Sequence, residues 1–275
     1  MNTSTQLKAL IRNISKQKSV NAQILLRNYM FERLLERISL SKYKNRFILK
    51  GGMLIAAMVG IDSRTTMDMD ATIKGILVQK ESIESIFKEI LRLDIDDGVV
   101  MENKGIYDIR DEADYTGFRI SINTDFDGIK QILKIDVTTG DSIIPCEIEY
   151  KFKLMLEDRT INVMAYNIET VFAEKLETIL SRGITNTRMR DFYDCYILNK
   201  HQVKNINQET LEKALNKTAE NRGTLELLEE KQVIIAEISR SIVLKGLWTR
   251  YQKKYEYAND ISWDDVICAV KKVLD

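Results

Sequence analysis

Two consecutive glycines between an apolar strand and an apolar helix place the strongest constraint on this sequence. Residues 47–49 predict a short buried strand, Lys50-Gly51-Gly52 a tight turn, and residues 53–59 an apolar helix. A strand that passes through glycines into a helix directs backbone N–H groups and the positive end of the helix dipole at whatever lies above the turn. The segment therefore predicts a phosphate-binding site.

Two acidic residues follow within the segment 67–71. Apolar and acidic residues alternate there, which predicts a strand with Asp68 and Asp70 on one face and Met67, Met69 and Ala71 in the core. Carboxylates two residues apart on a strand lie about 7 Å from each other at the backbone, close enough to share a hard divalent ion. The alternative is a pair of solvent-facing acids on an edge strand.

A third carboxylate comes from a later predicted strand, 131–137. Its apolar residues alternate with polar ones, so Asp136 projects from the polar face and is a candidate metal ligand, or else an ordinary surface acid. Asp136, Glu149 and Lys151 also form an Asp-x₁₂-Glu-x-Lys pattern. This pattern is typical of metal-dependent nucleases and leaves a nuclease open as the main alternative, although it leaves the glycine turn unexplained.

Composition narrows the classes of protein that fit. The 41 basic and 41 acidic residues cancel, so a nucleic-acid partner would have to bind a local basic patch. His201 is the only histidine, and the three cysteines lack ligand-like spacing, which argues against Ser-His or Cys-His catalysis and against a zinc site. No signal peptide or long apolar segment is evident, so we expect a cytoplasmic protein with no membrane association.

The pattern of elements predicts an α+β protein with two domains, 1–166 and 167–275. Helices are predicted at 4–17, 20–41 and 80–93, and extended segments at 98–101, 115–123, 131–137 and 147–152. Helical periodicity then continues to the end, with helices predicted at 169–182, 188–200, 207–220, 223–246 and 262–274, and with Gly183 and Gly246 as helix stops.

Four motifs in order resemble the AbiEii branch of the DNA polymerase β-like nucleotidyltransferase superfamily. They are Lys50-Gly51-Gly52, Arg64-Thr65-Thr66-Met67-Asp68-Met69-Asp70, Glu174-Lys175-Leu176 and Arg190-Asp191-Phe192-Tyr193-Asp194. The resemblance implies a polymerase β-like core, with a mixed sheet and flanking helices, joined to a C-terminal helical bundle in a bilobed protein. It also implies a toxin of a bacterial toxin–antitoxin or abortive-infection system that acts against phage.

The resemblance further implies roles for individual residues. Asp68, Asp70 and Asp136 would hold Mg²⁺ or Mn²⁺; Lys50, Gly51, Gly52, Arg64 and Asp194 would bind the nucleotide; and Asp68, Asp70, Lys175 and Asp191 would be catalytic. From the residues alone, Lys50 can equally cap its strand, Lys175 is a solvated charge, and Asp191 and Asp194 make local ion pairs with Arg188 and Arg190.

One position departs from the family pattern. Family members usually follow the two glycines with Ser or Thr, whose hydroxyl contacts the triphosphate, whereas this chain has Met53. Arg64, Thr65 or Thr66 can compensate.

The implied reaction is transfer of a nucleotide from an NTP to an acceptor hydroxyl, with release of pyrophosphate. Relatives act on tRNA 3′ ends or bind GTP, so we expect RNA such as tRNA as the acceptor, ahead of self-modification of the protein. The resemblance also implies a cognate antitoxin, which need not contact the toxin directly. Besides the nuclease, a non-catalytic protein that binds a nucleotide or a partner stays open.

Overall fold

The computed structural model describes residues 3–76, 79–110 and 116–274. Tyr115, the predicted first residue of one extended segment, lies outside them. The helices are α1 (Ser4–Lys18), α2 (Ala22–Leu40), α3 (Gly51–Val59), α4 (Lys80–Leu91), α5 (Ile168–Arg182), α6 (Met189–Gln202), α7 (Gln208–Asn221), α8 (Lys231–Arg240), α9 (Ile242–Lys254) and α10 (Trp263–Leu274). The strands are β1 (Phe47–Lys50), β2 (Met69–Ile73), β3 (Val99–Arg110), β4 (Thr116–Phe126), β5 (Ile129–Thr138), β6 (Ile148–Lys153) and β7 (Thr160–Ala165).

Contacts between residues divide the chain into two compact units. Unit 1 consists of Met1–Gly140 and Glu147–Ala165, and unit 2 of Asp141–Cys146 and Tyr166–Asp275. The short segment 141–146 is tied to unit 2 by Asn167, whose side-chain nitrogen donates to the carbonyl oxygens of Ile144 at 2.8 Å and Cys146 at 2.9 Å. The assignment of separate domains to 1–166 and 167–275 stays a prediction.

Unit 1 contains a mixed seven-stranded sheet with flanking helices, which confirms the predicted α+β class. The strand order is β3-β4-β5-β2-β1-β7-β6, with parallel pairs at β2–β5 and β1–β7 and antiparallel pairs elsewhere. Helix α2 packs against β5 and β7, and α3 packs against β1 and β2. Because successive side chains alternate between the faces of a strand, the buried Met69 and Ala71 leave Asp70 on the opposite face of β2.

Unit 2 is helical. Helix α5 packs against α6 and α7, and α6 packs against α9 and α10. Across the described ranges 3–76, 79–110 and 116–274, no helix is both long and apolar enough to cross a membrane.

Two predictions about secondary structure were wrong. The strand begins at Met69 rather than Met67, and the Met67 side chain is 39% exposed instead of buried. The helix predicted at 223–246 is interrupted: a 3₁₀ segment at Leu225–Leu228 and helix α8 precede α9, which continues through Gly246. Ser241 explains the break, because its backbone is extended and its side chain accepts a hydrogen bond from Leu244 N at 3.3 Å as the N-cap of α9.

Candidate active site

A row of four charged residues crosses four neighbouring strands of the sheet in unit 1. Lys50 of β1 lies opposite Asp70 of β2, Asp70 lies beside Asp136 of β5, and Asp136 lies opposite Arg119 of β4. Residues directly opposite one another on paired strands project from the same face. The row therefore places two carboxylates side by side, with one cation at each end. Since β2 lies between β5 and β1, the edge-strand alternative is wrong.

Arg119 was not identified from the sequence, and it holds Asp136 through two hydrogen bonds. Its Nε donates to Asp136 Oδ1 at 2.7 Å and its Nη2 donates to Oδ2 at 2.6 Å. The hydrogen bonds to Asp136 raise the pKa of Arg119, desolvation opposes them, and the charges of Asp136, Asp68 and Asp70 add to the increase. Arg119 therefore lies in the field of all three acidic residues that were predicted to bind metal.

The two glycines allow other side chains to approach the start of α3. Gly51 has φ +64°, and a Cβ atom there would lie 2.1 Å from Asp70 Oδ2. A Cβ atom on Gly52 would lie 2.9 Å from Thr66 Oγ1 and 3.1 Å from Arg64 Nη2. A larger residue at either position would collide with these groups. The glycines thus bring a carboxylate, a hydroxyl and a guanidinium against the first turn of α3, where backbone N–H groups face outward.

Arg64 lies almost completely buried beside this turn, at 1% exposure. Its Nη1 donates to the carbonyl oxygen of Thr65. A buried cation next to the positive end of a helix dipole favours a bound anion. Met53 is also buried, at 1% exposure, and packs in the core. The Thr66 hydroxyl lies beside Gly52 and donates to Asp68 O at 3.0 Å; compensation for Met53 by Thr66 stays a prediction.

The acidic residues near the glycine turn supply some, but not all, of the ligands that a divalent metal ion needs. Asp68 and Asp70 supply the hard oxygen donors that Mg²⁺ and Mn²⁺ prefer. Within residues 3–76, 79–110 and 116–274, however, no group of three or more Asp, Glu, His or Cys side chains is arranged to hold a metal. Both carboxylate oxygens of Asp136 bind Arg119 in this conformation. Asp136 as a third metal ligand stays a prediction.

A second cluster of charges lies inside unit 2, where α5 meets α6. Lys175 Nζ is 2.5 Å from Asp191 Oδ1 and 3.2 Å from Asp194 Oδ2. The exposed fractions of the three side chains are 14%, 2% and 0%. Lys175 is therefore an ion-paired residue in the protein interior and not the solvated charge that composition alone indicates. Asp194 is fully buried in this conformation, and its role in binding the nucleotide stays a prediction.

One oxygen of Asp191 has no hydrogen-bond donor among the described residues. Asp191 Oδ2 is buried and lies 2.9 Å from Arg188 Nε, but the alignment does not make a hydrogen bond. A buried carboxylate oxygen without a donor is costly unless a ligand or water supplies one. The catalytic role of Asp191 stays a prediction. The only histidine, His201, is exposed, as expected for a surface residue.

The residues of the nuclease pattern do not meet. Asp136 is on β5, whereas Glu149 and Lys151 are exposed on β6, at the far edge of the sheet. Three strands separate β5 from β6, which corresponds to a distance of about 19 Å at the usual spacing of strands. The three side chains cannot share one metal ion, so this interpretation of the pattern is wrong.

Comparison with known proteins identifies the family. The family model described as nucleotidyl transferase AbiEii toxin, type IV TA system, matches residues 33–268. The chain belongs to the AbiEii family. It is therefore a nucleotidyltransferase and a toxin of a toxin–antitoxin system, and an antitoxin partner is implied. No curated protein matches the chain.

Two solved structures show the same fold. MenT4, a nucleotidyltransferase toxin from Mycobacterium tuberculosis H37Rv, has a TM-score of 0.58 and 14% sequence identity, with 97% of each chain covered. JHP933 from Helicobacter pylori has a TM-score of 0.50 and 16% identity, with 93% of each chain covered. At these identities the likeness bears on the fold, and it agrees with the sheet and helices of the AbiEii chain described above.

Proposed function

We propose that this AbiEii-family toxin transfers a nucleotide from an NTP to a hydroxyl of an RNA such as tRNA in a reaction that requires Mg²⁺ or Mn²⁺. One observation carries the proposal: Gly51 and Gly52 open a helix against which Asp70 and the buried Arg64 are packed. Backbone N–H groups and a guanidinium suit a triphosphate, and the adjacent carboxylates suit its divalent ion.

Residues of unit 1 bind the nucleotide in this proposal. The N–H groups at the start of α3 and the Arg64 guanidinium hold phosphate oxygens, and Lys50 adds a cation at one end of the charged row. Asp68 and Asp70 hold the metal, which when bound neutralises phosphate charge and lowers the pKa of the attacking hydroxyl. The positive charge of Arg119 offsets the negative charge of Asp136, so Asp136 does not repel an anionic ligand.

Residues of unit 2 handle the proton. Asp191, which Lys175 and Arg188 hold through ion pairs, accepts the proton of the acceptor hydroxyl as the general base. Lys175 fixes Asp191 and Asp194 through its two ion pairs. Asp194 acts as a positioning residue in this scheme, since its side chain is fully buried. The antitoxin need not contact the toxin directly, and the biological role is abortive infection against phage in the cytoplasm.

The test is a transfer assay with labelled nucleotides. Purified protein is incubated with Mg²⁺, total tRNA and each α-labelled NTP in turn, GTP included, and label is measured on RNA and on protein. We expect label on RNA that disappears in Asp70→Asn and persists in Asp158→Asn, a control at a fully exposed acid. Label on the protein alone would replace the RNA acceptor with self-modification, and no label with any NTP would contradict the proposal.

A further inference from the structure

Aromatic residues form a cluster in unit 2 that extends from the interior to the surface. Trp248 and Tyr193 are each 1% exposed, and Tyr251 is 8% exposed. Tyr255 and Tyr257, which flank the start of the 3₁₀ segment Glu256–Ala258, are only half-buried. The buried members are accounted for by core packing. The half-exposed pair differs from them, because a tyrosine ring that keeps part of its surface in solvent can contact a ligand.

The exposed pair is held in a fixed geometry. The rings of Tyr255 and Tyr257 stack with centroids 5.3 Å apart and planes 22° apart. The Tyr193 ring packs against the Tyr257 ring with centroids 4.7 Å apart, and the Tyr251 ring packs against the Tyr255 ring with centroids 4.6 Å apart. These contacts to buried rings fix both tyrosines before any ligand binds, so little conformational entropy would be lost on binding.

Two cations lie beside Tyr255. The Arg190 guanidinium lies 5.8 Å from the centre of the Tyr255 ring and donates to its hydroxyl at 3.1 Å, and Lys254 lies 5.4 Å from the same ring. Arg250 is exposed one helical turn before Lys254, and Glu256 is the only acid between residues 248 and 258. Burial acts to raise the pKa of Tyr255, but Arg190 and Lys254 outweigh it and the pKa is lowered.

This concentration of cations differs from the chain as a whole. The 41 basic and 41 acidic residues cancel over the full sequence, so a nucleic acid would bind only where basic residues are locally in excess. Stacked aromatic rings beside Arg and Lys are the combination with which proteins bind single-stranded nucleic acid: bases stack on the rings, and cations contact phosphates.

We infer that Arg190, Lys254, Tyr255 and Tyr257, here called the tyrosine platform, bind the single-stranded end of the RNA that accepts the nucleotide. The inference rests on the proposed function for the identity of the acceptor. Its place in the fold supports it: Arg190 is the residue before Asp191, and Tyr193, which supports Tyr257, is the residue before Asp194. RNA on the platform would therefore lie beside the helix that carries the proposed proton acceptor.

The test measures RNA binding without nucleotide or metal, so it does not depend on transfer activity. A fluorescent single-stranded RNA is titrated with the full-length protein in EDTA. The double variant Tyr255→Ala/Tyr257→Ala should weaken binding by about fivefold to a hundredfold, as expected for loss of base stacking. Tyr255→Phe/Tyr257→Phe keeps both rings and should bind within about twofold of wild type. A blunt RNA duplex should bind more weakly than the single strand.

Single substitutions of exposed lysines test the same site with little risk of misfolding. Lys254→Ala should lower the slope of log affinity against log salt by about 0.7, the contribution of one phosphate contact to a single strand. Lys213→Ala, at an exposed lysine paired with Glu209 on α7, should leave the slope unchanged. Unaltered affinity in the double alanine variant, or equal binding of duplex and single strand, would overturn the inference. Weakened binding without any transfer to RNA would support the platform and contradict the proposed acceptor.

Discussion

The charged row of unit 1 and the charged cluster of unit 2 contain the same kinds of groups in different surroundings. In the row, the Arg119 and Asp136 side chains are 42% and 20% exposed. In the cluster, Lys175, Asp191 and Asp194 are 14%, 2% and 0% exposed. Both sites bring two acids together with nearby cations, yet the two acids of the cluster are almost completely buried, whereas Asp136 of the row keeps contact with solvent.

This difference in burial sets what each group of charges can do. Partly exposed ion pairs contribute little to stability, so they can be exchanged for pairs with an incoming ligand. Buried ion pairs lose much solvation on folding, and removing one partner leaves an uncompensated charge in the interior. The row is thus suited to bind a charged ligand, whereas the cluster is suited to hold one carboxylate oxygen in place. Changes in the row should affect activity, and changes in the cluster should affect stability as well.

The largest effect on activity is expected at the row. Asp70→Asn should lower nucleotide transfer by about a thousandfold or more, because metal-mediated charge stabilisation amounts to several kcal/mol. The free energy of unfolding should change by less than about 1 kcal/mol, since Asp70 is not part of the packed core. Urea titration together with the transfer assay checks both statements. Full activity in both Asp70→Asn and Asp68→Asn would contradict the metal site.

The cluster should respond differently. Lys175→Met should lower the free energy of unfolding by about 3–5 kcal/mol, since it leaves Asp191 and Asp194 buried without their shared cation. It should also remove most of the activity. Lys213→Met, at an exposed pair with Glu209, should cost under about 1 kcal/mol.

A double variant tests whether the cluster acts as a unit. Lys175→Met/Asp191→Asn should be less destabilised than the two single variants combined, by about 1–3 kcal/mol, because the second change removes a charge that the first left unpaired. Its transfer activity should likewise be much less impaired than the product of the two single effects. Additive effects in both measurements would indicate separate roles.

Glu32 of α2 extends the comparison to a buried acid outside both sites. Burial raises the pKa of Glu32 to about 8, although Met155 N donates to both of its oxygens at 3.1 Å. Arg33 and Asn28 lower this pKa slightly, and Glu157 raises it. Between pH 4.5 and pH 8 the folded protein therefore holds a proton that the unfolded chain has released, so stability falls as pH rises.

The expected slope is about 1.4 kcal/mol per pH unit from this residue, or about 2–3 kcal/mol between pH 5 and pH 7. Glu32→Gln should remove that slope, and urea unfolding of wild type and variant at each pH gives the difference. Glu209→Gln, at a surface acid, should leave the pH dependence as in wild type. A difference between wild type and Glu32→Gln that does not change with pH would show that Glu32 is ionised throughout this range in the folded protein.

Local sequence patterns predicted the glycine turn before α3, and a hairpin pattern between β4 and β5 could have identified Arg119. Glycines 51 and 52 follow from the strand–helix junction, and their close contacts with Asp70 and Arg64 explain why no larger residue fits. Asp127 and Gly128 have φ of 49° and 80° and form a two-residue hairpin turn between β4 and β5. Arg119 precedes Phe126 by seven residues and Asp136 follows Ile129 by seven, so a two-residue turn places these two side chains opposite each other.

Other features depend on contacts between distant segments. Periodicity places Lys175 and Asp191 on separate helices but does not show which helices pack together, so only the family resemblance brought them into one site. The break between α8 and α9 depends on a single serine cap in an otherwise helical sequence, which hydrophobic spacing does not reveal.

The smallest effect is expected at Lys151, and it separates the two enzyme classes that the sequence left open. A nuclease that uses Asp136, Glu149 and Lys151 needs the lysine to stabilise developing phosphate charge, so Lys151→Ala would be as damaging as Asp136→Ala. In the structure Lys151 is exposed on the edge strand β6, and three strands lie between β6 and β5. Lys151→Ala should therefore keep nucleotide transfer within about tenfold, or about 1.4 kcal/mol of barrier. Asp136→Ala should lose it, because it removes the predicted third metal ligand. Metal-dependent cleavage of nucleic acid without added NTP, abolished by Lys151→Ala, would mean that the exposed edge of the sheet and not the glycine turn is the catalytic surface.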